Sequence, residues 1–312
     1  WIGKFVQNNA ITPVQLDDAA KSNYSDMALK AVTYNGQTYG APYSVEALVL
    51  YVNKAVTSQV APTTIEEVVE AGKAAGTEEI LALPVGQKGD GYHMQPLYSS
   101  AGGYLFGTNA DGSYNLADVG VGTESSVTAG TKIAELASQG ALKTSITTDN
   151  AVNLFTDGKS PFLVSGPWSL ATIKTAGIDY AIAKIPGFAG MGDAVPFAGV
   201  NVFYVAANGK NRTIAESFVA DVAKDSTVAE AMFAKNELPP AQKDLVEKLK
   251  SSNPDMATLA DIASAAAPMP SIPQMAAIWP SLGQAEANII AGKDPKSEME
   301  AAGTAIKSAL GS

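Results

Sequence analysis

The segment Glu46–Asn53, EALVLYVN, constrains the fold more than any other. As extended chain it sets Leu48, Leu50 and Val52 on one face and Ala47, Val49 and Tyr51 on the other. A strand apolar on both faces needs a covering layer on each side, which points to a layered α/β architecture rather than a one-sided antiparallel sheet. Gly199–Ala207 (GVNVFYVAA) reads the same way, with Val200, Val202 and Tyr204 opposite Phe203 and Val205. Phe162–Ser165 and Tyr180–Ile185 are predicted as shorter strands. Helical patterns fill the intervals: Ser125–Gln139 closed by Gly140, Asp149–Thr156 closed near Gly158, and Ile214–Lys224 with Ile214, Phe218 and Val222 at fourfold spacing. Late in the chain, Ile278, Leu282, Ala285 and Ile289 mark a helix that Gly292 stops, with Pro280 either as its first helical residue or as a kink. A last helix is predicted from Lys296 to Leu310, and Ser251–Met256 as a connection between elements.

A chain of 312 residues exceeds the usual single-core size, so two lobes are expected. The net charge is −10 with a pI near 4.7, and the acidic residues are spread along the chain. Nucleic acid is therefore not an expected partner, because phosphate binding needs clustered Lys and Arg. No apolar run approaches the ~18 residues of a membrane span. The absence of Cys excludes disulfides, thiolate metal sites and a Cys nucleophile, and the single His, His93, excludes a histidine cluster. Gly102-Gly103 and Gly120-x-Gly122 lack the spacing of a dinucleotide fingerprint, and no P-loop is present. Asn109-Ala110-Asp111-Gly112 opens with Asn and reads as a type I′ turn rather than a calcium loop. No cofactor or metal is expected. Because the chain starts at Trp1 without Met or a leader, it is expected to be a processed, truncated or partial product.

Several residues stand out as candidates for chemistry. Trp168, in Ser165-Gly166-Pro167-Trp168, and Trp279, in the phrase running from Met269 through Ile272-Pro273-Gln274-Met275, each place a large flat ring beside a helix start. Such a ring is either core filling or a platform for the apolar face of a sugar. Glu46 opens a strand that otherwise reads as buried. It is either a solvated strand-end carboxylate or an acceptor for sugar hydroxyls. Asp90-Gly91-Tyr92-His93 follows a Gly-rich turn, Pro84–Gly89, which places these side chains in a loop, either a plain connection or a ligand contact. His93, flanked by Met94, is either a packed histidine or a ligand contact.

Taken together with Pro42-Tyr43-Ser44-Val45-Glu46-Ala47-Leu48, Ala31–Gly36 and Gly158-Lys159, these phrases resemble the maltose- and maltodextrin-binding branch of family 1 extracellular solute-binding proteins. Those proteins serve ABC importers. The resemblance implies a two-lobe α/β fold of the periplasmic-binding-protein kind (type II), with the beginning of the N-terminal lobe missing. It implies an N-terminal lobe of residues 1–45 plus 202–250 and a C-terminal lobe of 50–196 plus 254–312. Hinges would lie near 45–49, 197–201 and 248–254, with the lobes closing on ligand. It assigns ligand contacts to Glu46, Asp90, Tyr92, His93, Trp168, Met269 and Trp279. Asp90 stands where the family pattern carries Glu, Gly91 replaces a Pro, and Pro280 and Gly283 replace a Tyr and an Arg. The implied protein is a monomeric, non-enzymatic receptor for maltose or maltodextrins, with ABC permease subunits as partners. It would work outside the cytoplasm, in a periplasm or as a cell-surface lipoprotein. The alternatives are a receptor for another α-glucoside or oligosaccharide, or a carbohydrate-active enzyme using Glu46 and Asp90 as paired carboxylates.

Overall fold

In the computed structural model of the chain, residues 2–110 and 113–311 are described. They form two compact units. The first takes the chain up to Ala47, then Gly166–Ala171 and Phe197–Pro273; the second takes Leu48–Ser165, Thr172–Pro196 and the chain from Gln274 on.

The first unit is built on a three-stranded sheet in the order Ala267–Pro268, Phe197–Tyr204, Gly40–Ala47. The first pair is parallel, and the second is antiparallel with Glu46 opposite Gly199. Helices Asp26–Ala31, Arg212–Lys224 and Pro254–Ser264 pack on Gly40–Ala47. Val14, Tyr24, Ala28, Val45, Val205 and Val219 lie in the resulting core. The second unit has an antiparallel sheet with Val49–Asn53 between Phe162–Ser165 and Tyr180–Ala183. Leu48 through Val52 are fully buried in it. Beside this sheet, helices Gly91–Ser100, Glu124–Ser138, Met275–Ile290 and Pro295–Leu310 pack on one another.

The structure corrects three local expectations and decides between the readings of a fourth. EALVLYVN is not one strand: the break falls at Leu48, and Glu46 lies next to the end of a strand that begins at Gly40. Gly40 and Pro42 mask that strand in the sequence, and a register shift between Pro42 and Ser44 is what admits the proline. Phe197–Tyr204 is not buried on both faces, since only Phe197 and Ala198 are buried and the remainder is half-exposed. Alternating apolar residues identify a strand without counting the layers that cover it. The connection expected over 251–256 is confined to 251–253, because Pro254 opens a helix in whose first turn its missing N–H costs nothing. Of the two readings of Pro280, the structure excludes that of first helical residue, because Pro280 lies inside a helix that already begins at Met275.

Residues 254–273 pack in the first unit, whereas the sequence reading places 254–312 together in the C-terminal lobe. The helix Pro254–Ser264 accounts for this by lying on Gly40–Ala47. The hairpin Phe106–Thr108 with Tyr114–Val119 is antiparallel. The type I′ turn predicted at its tip falls on Asp111 and Gly112, outside the described residues.

Leu50 is central in the second sheet, paired to Val164 on one side and Ala183 on the other, and fully buried. Leu50→Ala is expected to cost about 2–5 kcal/mol in urea unfolding, the range for emptying a packed leucine site. A cost below about 1 kcal/mol would show that this strand does not carry the core of the unit.

Candidate functional site

Within the second unit, the candidate site forms where a Gly-rich turn and a helix start meet the helix that carries Trp279. Asp90 is the N-cap of the helix Gly91–Ser100, so the predicted loop is in fact a helix entry. Its Oδ1 accepts the His93 N–H at 3.1 Å, and its Oδ2 lies 2.7 Å from His93 Nδ1. The cap hides from a sequence reading because Gly91 and Pro96 both depress helical propensity. Burial raises the Asp90 pKa, but the hydrogen bond and charge of His93 outweigh it, so the carboxyl ends below its ordinary value.

The helix entry sits close to Met275–Ile290. A methyl group placed on Gly91 would lie 3.5 Å from Cε3 of Trp279 and 3.8 Å from Oε2 of Glu286. Just before it, Gly89 (φ +77°) approaches Gly283 so closely that a Cβ on Gly89 would run into the Gly283 carbonyl. A Cβ on Gly283 would in turn lie 3.3 Å from the Lys88 carbonyl oxygen. The backbone of 88–89 therefore presses on position 283. Tyr92 is half-buried, with its ring edge-on to His93 at 5.5 Å. Trp279 is half-buried as well. Together Asp90, Tyr92 and Trp279 bring one carboxylate and two aromatic rings into one region, while His93 is 7% exposed and turns Nδ1 to Asp90.

The first unit holds the other candidates. Glu46 is half-buried, and its Oε2 accepts from Asn201 Nδ2 at 3.4 Å, while the same amide donates to Ser44 Oγ at 3.0 Å. Burial raises the Glu46 pKa, and the Asn201 bond opposes the rise without cancelling it. Trp168 lies in a 3-10 turn, Pro167–Ser169, and is 43% exposed. Its ring folds back over Gly166, where any Cβ would collide with it, so the Gly-Pro-Trp phrase fixes a ring at the surface rather than in a core. Met269 is half-buried just after the strand Ala267–Pro268.

These observations can be set beside known proteins. A family model for bacterial extracellular solute-binding proteins matches residues 1–266. The chain belongs to that family. Among the relatives of this solute-binding protein is the galactooligosaccharide-binding protein of Bacillus subtilis, 28% identical over 98% of the chain and 74% of the relative. Another is a maltooligosaccharide ABC transporter solute-binding lipoprotein of Streptococcus pneumoniae, 26% identical over 99% of the chain and 74% of the relative. A crystal structure of a cyclo/maltodextrin-binding protein complexed with maltotetraose superposes with a TM-score of 0.84 at 27% identity, covering 99% of this chain and 80% of that one. The mixed α/β architecture is thus that of a solute-binding protein. No helix among the described residues is long and apolar enough to cross a membrane.

Sequence reasoning missed two participants in this solute-binding protein. Asn201 gave no signal, because its role depends on the pairing of its strand with Gly40–Ala47. Glu286 did give one: it stands four residues after Leu282 and seven after Trp279, on the buried stripe of its helix.

The Asp90 cap leads to a pH-dependent expectation. Its folded pKa is lowered, so its stabilisation is present above the ordinary value of 3.8 and is lost as pH falls through the folded value. Asp90→Ala is expected to cost about 0.5–2 kcal/mol near pH 7. In urea titrations across pH, that gap should close in acid; a gap independent of pH would mean that the carboxylate charge has no part in the cap.

Proposed function

We propose that this protein is an extracytoplasmic receptor that binds maltose and maltodextrin-type oligosaccharides and delivers them to an ABC importer. The observation that carries the proposal is the packing of the Asp90–Tyr92 helix entry against the Trp279 ring. A pyranose presents an apolar C–H face and a rim of hydroxyls. Aromatic rings suit the first, and an ionised carboxylate accepting charge-assisted hydrogen bonds suits the second. The maltotetraose complex of the structural neighbour and the maltooligosaccharide relative favour an α-glucan as ligand. In this reading Asp90, Tyr92 and Trp279 contact sugar in the second unit, and Glu46, Trp168 and Met269 contact it in the first. His93 serves mainly by holding Asp90.

The proposed receptor is not an enzyme, a reading supported by relatives that are named as binding proteins. A lipid anchor, as named for the streptococcal relative, is the proposed tether, and the protein is proposed to act as a monomer. A galacto-oligosaccharide is the second reading, favoured by the Bacillus subtilis relative.

Calorimetry with maltose, maltotriose, maltotetraose, trehalose, a galacto-oligosaccharide and sucrose separates these readings. The expected result is saturable binding of the maltodextrins, with affinity on the order of micromolar (about −8 kcal/mol). Trp279→Ala is expected to weaken it at least about tenfold, or ~1.4 kcal/mol, with little change in the thermal midpoint. Binding of the galacto-oligosaccharide alone would replace the leading reading with the second. Turnover of maltotriose that Glu46→Gln abolishes would replace the receptor with an enzyme.

A further inference from the structure

Glu286 is fully buried on the helix Met275–Ile290, and neither of its carboxyl oxygens has a hydrogen-bond partner among the described residues. A buried carboxylate in that position is costly, so the group stays a neutral acid unless something compensates it. Among the described residues, the one cation on the turn packed against this helix is Lys88, whose backbone meets Gly283 and whose side chain is exposed to solvent. The helix Met275–Ile290 packs on Gly91–Ser100, Glu124–Ser138 and Pro295–Leu310. The buried residues of Glu124–Ser138 are Ser126, Ala129, Gly130, Ile133 and Leu136, and those of Pro295–Leu310 are Met299, Ala302, Gly303 and Ile306. None of these titrates. The third helix and its cap bring Asp90, His93 and Tyr98. His93 is engaged by Asp90, and the Tyr98 hydroxyl donates to Ser126 Oγ at 3.0 Å.

We propose that Glu286 is a pH-sensitive positioning residue: as a neutral acid it supports the Asp90–Gly91–Tyr92 helix entry and the Trp279 ring, and its ionisation beside Asp90 loosens that entry. Three observations carry this. Oε2 of Glu286 lies 3.8 Å from a methyl position on Gly91, the residue next to the Asp90 cap. Trp279 touches the same position from two turns earlier on the same helix. Asp90 is the carboxylate whose charge bears on Glu286, second to burial in holding the acid neutral. Because Glu286 is neutral when Asp90 ionises, the repulsion falls wholly on the later ionisation. The sign follows. A carboxyl that binds its proton more tightly folded than unfolded takes stability away as pH rises above its ordinary value of 4.5, and continues to do so up to its folded value. Loss of ligand affinity with rising pH rests additionally on the sugar-site reading above.

The test uses the chain's single histidine, whose two ring-proton NMR signals need no assignment and sit beside Asp90. In the free protein, at pH values above the Asp90 ionisation, the His93 ring signals are expected to show an inflection at which Glu286 ionises. That inflection should be missing in Glu286→Gln or, if that variant does not fold, in Glu286→Met. Wild-type and variant curves that coincide over this range overturn the proposal. These signals need no sugar, so they decide it even if the ligand reading fails. With a bound maltodextrin in hand, wild-type affinity should fall by about tenfold (~1.4 kcal/mol) as pH rises through the inflection that the variants lack, while the variant stays within about twofold. Equal pH profiles would remove the link from Glu286 to binding.

Discussion

The site of the second unit depends on one close approach between backbones. The Gly-rich turn ending at Gly89 lies against Gly283, and the absence of side chains on both residues lets the turn meet the helix Met275–Ile290 at that distance. Interiors are packed so tightly that a single methyl in such a contact forces a shift. The approach places the Asp90 cap, Gly91 and Tyr92 within reach of Trp279 and Glu286, which lie on the opposing helix. A Cβ at position 283 would press on the Lys88 carbonyl oxygen at 3.3 Å, so a larger residue there asks the turn to give by a few tenths of an ångström, whereas a Cβ at Gly89 would collide outright.

Three carboxyls near the candidate residues illustrate how environment divides one chemical group into different roles. Asp90 is partly exposed and paired with the only histidine, and it is held as an anion. Glu46 is half-buried with one amide donor and no cation, so its pKa is raised by burial. Glu286 has burial without any donor among the described residues, which holds its pKa well above the ordinary value. The order follows from the number of hydrogen bonds and opposite charges each receives against the cost of leaving water.

Much of this was legible in the sequence where the signal was local. The Gly-Pro-Trp phrase set the Trp168 ring beside a helix start, and of its two readings the structure excludes core filling, because the ring folds over Gly166 at the surface. The spacing of Ile278, Leu282, Ala285 and Ile289 located the late helix. What escaped was non-local or masked. The helix after Asp90 was hidden by Gly91 and Pro96, and the strand before Glu46 by Gly40 and Pro42. The half-exposure of Phe203 and Tyr204 and the bond from Asn201 to Glu46 depend on which strands become neighbours, a property no window of sequence contains. Glu286 was visible as an acid on an apolar stripe, yet its meaning required knowing that Asp90 lies across from it.

The central claim is that Trp279 and the Asp90–Tyr92 helix entry form a sugar-binding surface. It is tested most directly by a crystal structure of this protein grown with maltotetraose. The account predicts a glucose ring stacked on the Trp279 indole, with a hydroxyl on the Asp90 carboxylate at about 2.5–3.0 Å. Maltotetraose bound elsewhere on the chain, with Trp279 and Asp90 untouched, would contradict it.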